Sequence, residues 1–211
     1  MSPAVRAAAR GDVPAVAELL AASLTRDAFF AQLLPDPTQD GGFGALQFFS
    51  AYAMTHLGRD RALDVVVDDD ERVLGVAAWT YRPRGRSSLV SRQTGLSVRY
   101  LRSIGPRRLI RAVALRRGLE YRRPHGTHWW LSAIAVSPVS RGGGLAKTLL
   151  QHRLARIDAA GEAAYAEATD VEIRELLLRF RFLPHETPGI EPDYPMQSMT
   201  REPYRAPRRY D

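Results

Sequence analysis

The stretch SPVSRGGGLAKTLL, residues 137–150, places an arginine, three glycines and an apolar-periodic run in succession. It follows HWWLSAIAV (128–136), an aromatic and β-branched run that predicts a central strand. A strand–glycine–helix order leaves the first N–H groups of the helix without internal partners, at the positive end of its dipole. Such an end favours an anion. Gly142, Gly143 and Gly144 let the backbone approach a phosphate, Arg141 adds charge, and Leu145 and Ala146 open the helix. Two phosphate loops fail on spacing. A Walker A loop needs glycine at Arg141 and Ala146, ahead of Lys147-Thr148, and a dinucleotide fingerprint needs glycine or alanine at Lys147.

The elements around this loop follow from periodicity. VRAAARGDVPAVAELLAASL (5–24) predicts a strand, a turn and a helix capped by Asp12, with Pro14 in its first turn. Val13, Val16, Ala17, Leu20 and Leu24 share one face of that helix. A loop over 35–42 leads to an apolar helix over 43–57, and residues 62–81 read as a hairpin around an acidic turn. After the glycines, Ala146, Leu149, Leu150, Leu154 and Ile157 recur at helical spacing. A short strand follows in EAAYAEAT, then a helix over 171–180, and FLPHE and YPMQSMT are the last strands. The tail from Arg201 is expected to be solvated. The fold class expected is α/β in the α+β sense: one domain over 1–211, with helices on a mixed sheet.

Composition narrows the function. The chain has 211 residues and no cysteine, which excludes disulfides, thiolate metal sites and a cysteine nucleophile. No apolar run reaches membrane-spanning length and no secretion signal is visible, so a cytoplasmic protein is expected. Net charge is +7, unevenly spread: between Arg82 and Arg123 there are 13 arginines against one acid, Glu120, leaving the remainder net acidic. This basic segment, about 83–125, comprises a loop over 83–92 and a helix over 94–120 interrupted at Gly105-Pro106. It breaks the β-rich run as an insertion would.

Arg141, Gly144 and Ala146 satisfy Arg-x-x-Gly-x-Ala, which resembles the coenzyme A pyrophosphate loop of the GNAT superfamily of acyl-CoA-dependent N-acyltransferases. AIAVSP (133–138) is similar to that family's splayed strand. AEATDVEIRELLLRFRF (166–182) aligns without gaps to its downstream pattern, with Glu167, Thr169 and Phe182 matching. DVPAVAELL and VAAW resemble the puromycin N-acetyltransferase-like branch. The resemblance implies a mostly antiparallel sheet with a splayed strand pair and acetyl-CoA, or another acyl-CoA, as co-substrate without a metal. The implied cofactor residues are Ile134, Ala135, Val136, Arg141, Gly142, Gly143, Gly144, Leu145, Ala146 and Thr169. The implied reaction is acyl transfer to a primary amine of a small molecule or peptide by direct attack in a ternary complex. Homodimers are common in the family.

Catalytic side chains match less well. Leu177 stands where the family commonly has a tyrosine that protonates the departing thiolate, Ile173 where it often has asparagine, and Arg181 where it has glycine. Tyr165, near in sequence, is as readily a core tyrosine. Strand alternation would put His128, Trp130, Ser132 and Ile134 on one face. Ser132 and His128 are the candidates there for handling the amine proton, against the alternative that His128 is a packing histidine. Glu167 fits either a catalytic or a hydrogen-bonded structural role. Three functions stay open: an N-acetyltransferase, an acyl-CoA-binding relative without turnover, and a nucleic-acid binder using the basic segment. No aromatic interleaving supports the last, and a solvated helix face explains the arginines as well. If the segment folds over the cleft, its charge would favour an acidic acceptor.

Overall fold

The computed structural model describes residues 3–27, 29–84, 94–185 and 196–204. Most of the predicted basic loop (85–92) and the end of the tail (205–211) lie outside the described residues. The elements run β1 (Ala4–Ala7), α1 (Val13–Leu24), α2 (Pro37–Asp40), α3 (Phe43–His56), β2 (Arg61–Val67) and β3 (Val73–Arg82). They continue with α4 (Thr94–Arg122), β4 (His128–Val136), α5 (Leu145–Ala159), β5 (Ala163–Ala168), α6 (Val171–Arg179), β6 (Leu183–Pro184) and β7 (Gln197–Arg201). The sheet order is β1-β2-β3-β4-β5-β7-β6, and every pairing is antiparallel except β4 with β5. The expected mixed sheet flanked by helices is present.

Both faces of the sheet are covered, so its central strands carry apolar residues on both sides. On one face α1 and α3 bury Val16, Leu20 and Phe49 against Val65, Val76 and Ala133. On the other, α5 and α6 bury Leu149, Leu150, Leu154 and Leu177 against Trp79, Leu131 and Phe182. Asp64 on β2 is fully buried in this apolar setting. It accepts from Arg153 of α5 at Nε (2.8 Å) and Nη2 (2.5 Å), which ties the helix behind the glycine loop to the sheet.

Two features of the sheet bear on function. Parallel pairing of β4 with β5 covers only four pairs, His128–Ala163 to Leu131–Ala166, although β4 runs on to Val136. Beyond Leu131 the strands part in the middle of the sheet. At the same point β4 carries a bulge: Ala133 faces Ala78 and Leu131 faces Trp79, leaving Ser132 as the extra residue. A bulge shifts the side-chain alternation by one. Ile134 therefore joins the cluster under α5 while Ser132 reaches α3, which corrects the expectation that both share a face with His128 and Trp130.

Other local expectations change too. Asp12 does not cap α1; its carboxylate accepts from Arg6 (2.7 Å) and, turned backwards, from the Ala9 N–H (2.7 Å). Arg201 is not solvated: it is buried and forms a two-pronged pair with Asp158 (2.6 and 2.7 Å). The helix of the basic segment bends at Gly105, as the Gly-Pro pair predicts. Its inner side is not a solvated face, since Ser103 and Ile104 are buried and Tyr100 and Leu109 pack against the core of α1 and α3. The contact is close enough that a Cβ on Gly44 of α3 would lie 2.9 Å from the Ser103 carbonyl.

Removing one member of a buried ion pair leaves the other charge without compensation and costs about 3–5 kcal/mol, whereas replacing both with apolar residues is often neutral. Arg153→Met is thus expected to lower unfolding stability by that order, and Asp64→Leu with Arg153→Met to recover most of it. Urea denaturation of the two variants checks this.

Candidate functional site

The loop takes the form its glycines allow. A short turn over Pro138–Ser140 leads from β4, and Gly142 and Gly144 adopt φ of 79° and 75°, which side chains with a Cβ disfavour. Gly144 is the N-cap of α5, no side chain caps that helix, and the first helical hydrogen bond runs from the Thr148 N–H to the Gly144 carbonyl. The N–H groups of Leu145, Ala146 and Lys147 are thus the donors that a helix start leaves over. Arg141 is exposed beside them.

This loop opens one end of a cavity of about 1340 Å³. The cavity runs along Ile134, Ala135 and Val136, past the parting of β4 and β5, and ends in a chamber beneath α4. Of the expected cofactor residues, Ile134, Ala135, Val136, Arg141, Gly142, Gly144, Leu145, Ala146 and Thr169 line it, and Gly143 does not. Among the described residues the β5-facing edge of β4 has no strand partner from Ser132 onward, and unpaired backbone groups in a buried setting call for one.

Ser132 also lines the cavity, and the structure gives it company that sequence reasoning missed. Its Oγ lies 2.6 Å from the Tyr52 hydroxyl and 3.1 Å from His56 Nε2, and it donates to the Ala78 carbonyl at 3.1 Å. His56 Nδ1 donates to the Tyr52 carbonyl (2.9 Å), so in the neutral ring Nε2 is the acceptor, open to the Thr80 hydroxyl (3.3 Å) while the Ser132 proton points to Ala78. Burial pushes the His56 pKa down to about 3, and Arg61 and Arg82 press in the same direction, against the Tyr52 carbonyl. Burial likewise pushes the Tyr52 phenol up. Near neutral pH the cluster holds hydrogen bonds without charge. One signal for it was present in the sequence: Tyr52 and His56 stand four apart on a largely apolar helix.

His128 does not line the cavity. It is buried, donates from Nδ1 to the Gly126 carbonyl (2.8 Å), stands edge-on to Tyr165 (ring centroids 5.7 Å apart), and its pKa is lowered by burial. The packing reading describes this placement. Trp130 lines the cavity with the Arg123 guanidinium 3.8 Å over its ring.

Glu167 sits on β5 just past the last β4–β5 pair and lines the cavity. Its carboxylate accepts from the Tyr165 hydroxyl and from Ser198 Oγ (3.1 and 3.2 Å). Burial raises its pKa, and these hydrogen bonds oppose the rise. Tyr165 is engaged here, buried, with its own pKa raised by burial. Leu177 is almost fully buried among the residues beneath α5 and does not line the cavity. Among the described residues no cluster of three or more metal-ligating side chains occurs, and no helix is long and apolar enough to cross a membrane.

No protein-family model matches the chain, and no curated protein matches it in sequence. Solved structures do. A "histone acetyltransferase HPA2 and related acetyltransferase" from Corynebacterium glutamicum is 25% identical, with 98% of this chain and 99% of that one covered at a TM-score of 0.68. Arylalkylamine N-acetyltransferase 2 from Aedes aegypti is 13% identical, with 97% and 100% covered at 0.65. A phosphinothricin acetyltransferase from Sinorhizobium meliloti, solved with acetyl-CoA, is 19% identical, with 96% and 89% covered at 0.55. The seven-stranded, mostly antiparallel sheet between helices is the GNAT fold, and these structural neighbours are GNAT acetyltransferases.

A histidine whose folded pKa lies below its unfolded value of about 6.5 contributes stability fully above that pH and loses it as pH falls towards the folded value. For His56 the window runs from about 6.5 down to about 3. Unfolding stability is therefore expected to fall more steeply below pH 6.5 in the native protein than in His56→Gln, by up to about 1.4 kcal/mol per pH unit. Urea titrations at a series of pH values measure the difference.

Proposed function

We propose that this protein is an N-acyltransferase that moves an acetyl or other short acyl group from acyl-CoA to a primary amine. The observation that carries the reading is one continuous cavity joining the uncapped helix start at Gly144 to the open edge of β4 and the chamber under α4. The fit to acyl-CoA is specific in its parts. The N–H groups of Leu145, Ala146 and Lys147 with Arg141 suit a pyrophosphate. The unpaired edge at Ile134–Val136 suits a ligand arm that carries amides, as a strand partner would. The likeness of the fold to acetyltransferases solved with acetyl-CoA or CoA supports it. The DVPAVAELL and VAAW stretches favour the puromycin N-acetyltransferase-like branch within that superfamily.

Acyl-CoA supplies the activated acyl group. The chain's own part is to hold both reactants in line, which accounts for much of such an acceleration. Backbone N–H groups of β4 beyond the bulge polarise the acyl carbonyl. Glu167, at the parting of the strands with a raised pKa, takes the proton that the amine nitrogen loses as its new bond forms. Ser132, fixed by Tyr52 and His56, positions the amine. Leu177 offers no proton to the leaving thiolate, and this favours a second reading: a protein that binds acyl-CoA without turnover. Release of free thiol only when an amine is added separates the two.

Calorimetry with acetyl-CoA is the direct test. Micromolar binding is expected, weakened by about tenfold to a hundredfold in Arg141→Glu with Gly144→Asp, as loss of charge-assisted hydrogen bonds implies. Equal binding by the variant would overturn the loop assignment. Glu167→Gln is expected to lower kcat by about a hundredfold or more with acetyl-CoA affinity unchanged. Since the carboxyl must be ionised to accept a proton, native kcat is expected to decline as pH falls through its raised pKa, and the variant to lose that limb.

A further inference from the structure

Resting on the acyl-transfer reading, we infer that the acceptor is a monoamine carried on an apolar, aromatic-sized body, held in a chamber whose roof is α4. The walls set the class. Phe30, Phe48 and Tyr52 pack ring to ring with centroids 6.3 to 6.5 Å apart, and Tyr100 of α4 joins them, 5.1 Å from Phe48. Ile104 and Leu109 of α4 line the same space. Aromatic rings assembled in this way offer faces and edges to another ring. A cavity of about 1340 Å³ exceeds the roughly 300–1,000 Å³ of a single-ligand site, so an acceptor of this size has room beside an acyl-CoA arm.

The described residues of α4 give this chamber an apolar lining. Arg107 and Arg111 are exposed, and Arg108 and Arg111 line a separate small groove with Asp36 and Gln32. Among the described residues, those that α4 turns into the cavity are Tyr100, Ile104, Leu109, Ala112 and Val113. Among the described residues, the helix of the insertion contributes its apolar side to the cavity. Arg82, which also lines the cavity, faces Glu120 at 3.8 Å and Trp130 at 5.4 Å.

The floor is polar but neutral. Tyr52, His56, Thr80 and Ser132 provide hydroxyl groups and one imidazole nitrogen, enough to hold one small polar group. Arg61 and Arg82 disfavour positive charge at His56, and they act alike on any amine bound beside it. An amine that enters as the free base meets no such penalty, whereas an ammonium beside His56 does. An apolar monoamine suits both walls and floor.

The test measures thiol release from acetyl-CoA by the full-length protein, which has no cysteine to give a background. Phenethylamine and tryptamine are compared with spermidine, glutamate and an alanine-terminated tripeptide. The aromatic amines are expected to exceed each of the others in kcat/KM by tenfold or more. Ile104→Glu is expected to raise KM for phenethylamine at least tenfold with acetyl-CoA affinity unchanged. Tyr100→Ala gives the same readout where the charged variant does not fold, and Arg107→Gln with Arg108→Gln changes neither constant. Preference for spermidine, glutamate or the peptide overturns the inference and leaves acyl transfer standing. Absence of acetyl-CoA binding by calorimetry removes the acyl-transfer reading instead. In that event direct titration with phenethylamine still decides the chamber: binding lost in Tyr100→Ala upholds it, and no binding overturns it.

Discussion

The structure turns on one interruption of hydrogen bonding, the end of β4–β5 pairing at Leu131 and Ala166. A sheet normally satisfies its backbone groups strand by strand, and an unpaired edge is ordinarily a feature of its rim. Here the open edge lies in the middle, because β5 continues against β7 from Ala168 to Ala164 while β4 continues against β3 to Val136. Each strand keeps one neighbour and loses the other. The resulting wedge is lined by backbone on both sides. The cavity, the placement of Glu167 at its apex and the aim of Ser132 all follow from that wedge.

The bulge at Ser132 makes the wedge asymmetric. Without the extra residue, alternation would leave Ser132 and Ile134 on one face. With it, Ile134 packs beneath α5 and Ser132 meets Tyr52 and His56 of α3. One side of the wedge thus becomes a rigid apolar wall behind the glycine loop, and the other a polar floor. α5 carries the loop and is fixed to β2 by Arg153 and Asp64, so the glycine loop and the strand edge are tied to the same sheet. α4 is a different kind of part. It closes the far end through side-chain packing, a Thr55–Tyr100 hydroxyl contact of 3.5 Å and the close passage of Ser103 over Gly44.

What the sequence made legible was what composition and periodicity encode. The limits of β4 are plain because aromatic and β-branched residues fill 128–136 between turn signals. The loop is plain because Arg141, Gly144 and Ala146 keep a fixed spacing. The bulge was not legible, since one added residue leaves composition untouched and only the partner strand reveals it. The inner side of α4 was hidden for another reason. Eight arginines are interleaved with its apolar residues, and which side of the helix is buried depends on the bend at Gly105. Asp12 misled because a carboxylate at a helix start serves the helix or the preceding turn equally well, and Arg6 decided for the turn. The Tyr52–His56 pair was visible, but its partners Thr80 and Ser132 lie on two distant strands, and only the fold joins them.

On the acyl-transfer reading, the vacancy at Leu177 then has a physical counterpart elsewhere in the cavity. A proton donor there would ease the departure of a thiolate by neutralising it. The same departure is eased by any field that favours negative charge. Arg61 and Arg82 line the cavity and already act on His56 in that sense, within a space of low dielectric where charges count for more than in water. The field that keeps a bound amine unprotonated, and so able to attack, also stabilises the charge that appears on the leaving sulfur. An apolar core residue at Leu177 is then compatible with turnover, because the electrostatics of the chamber serve both ends of the reaction at once.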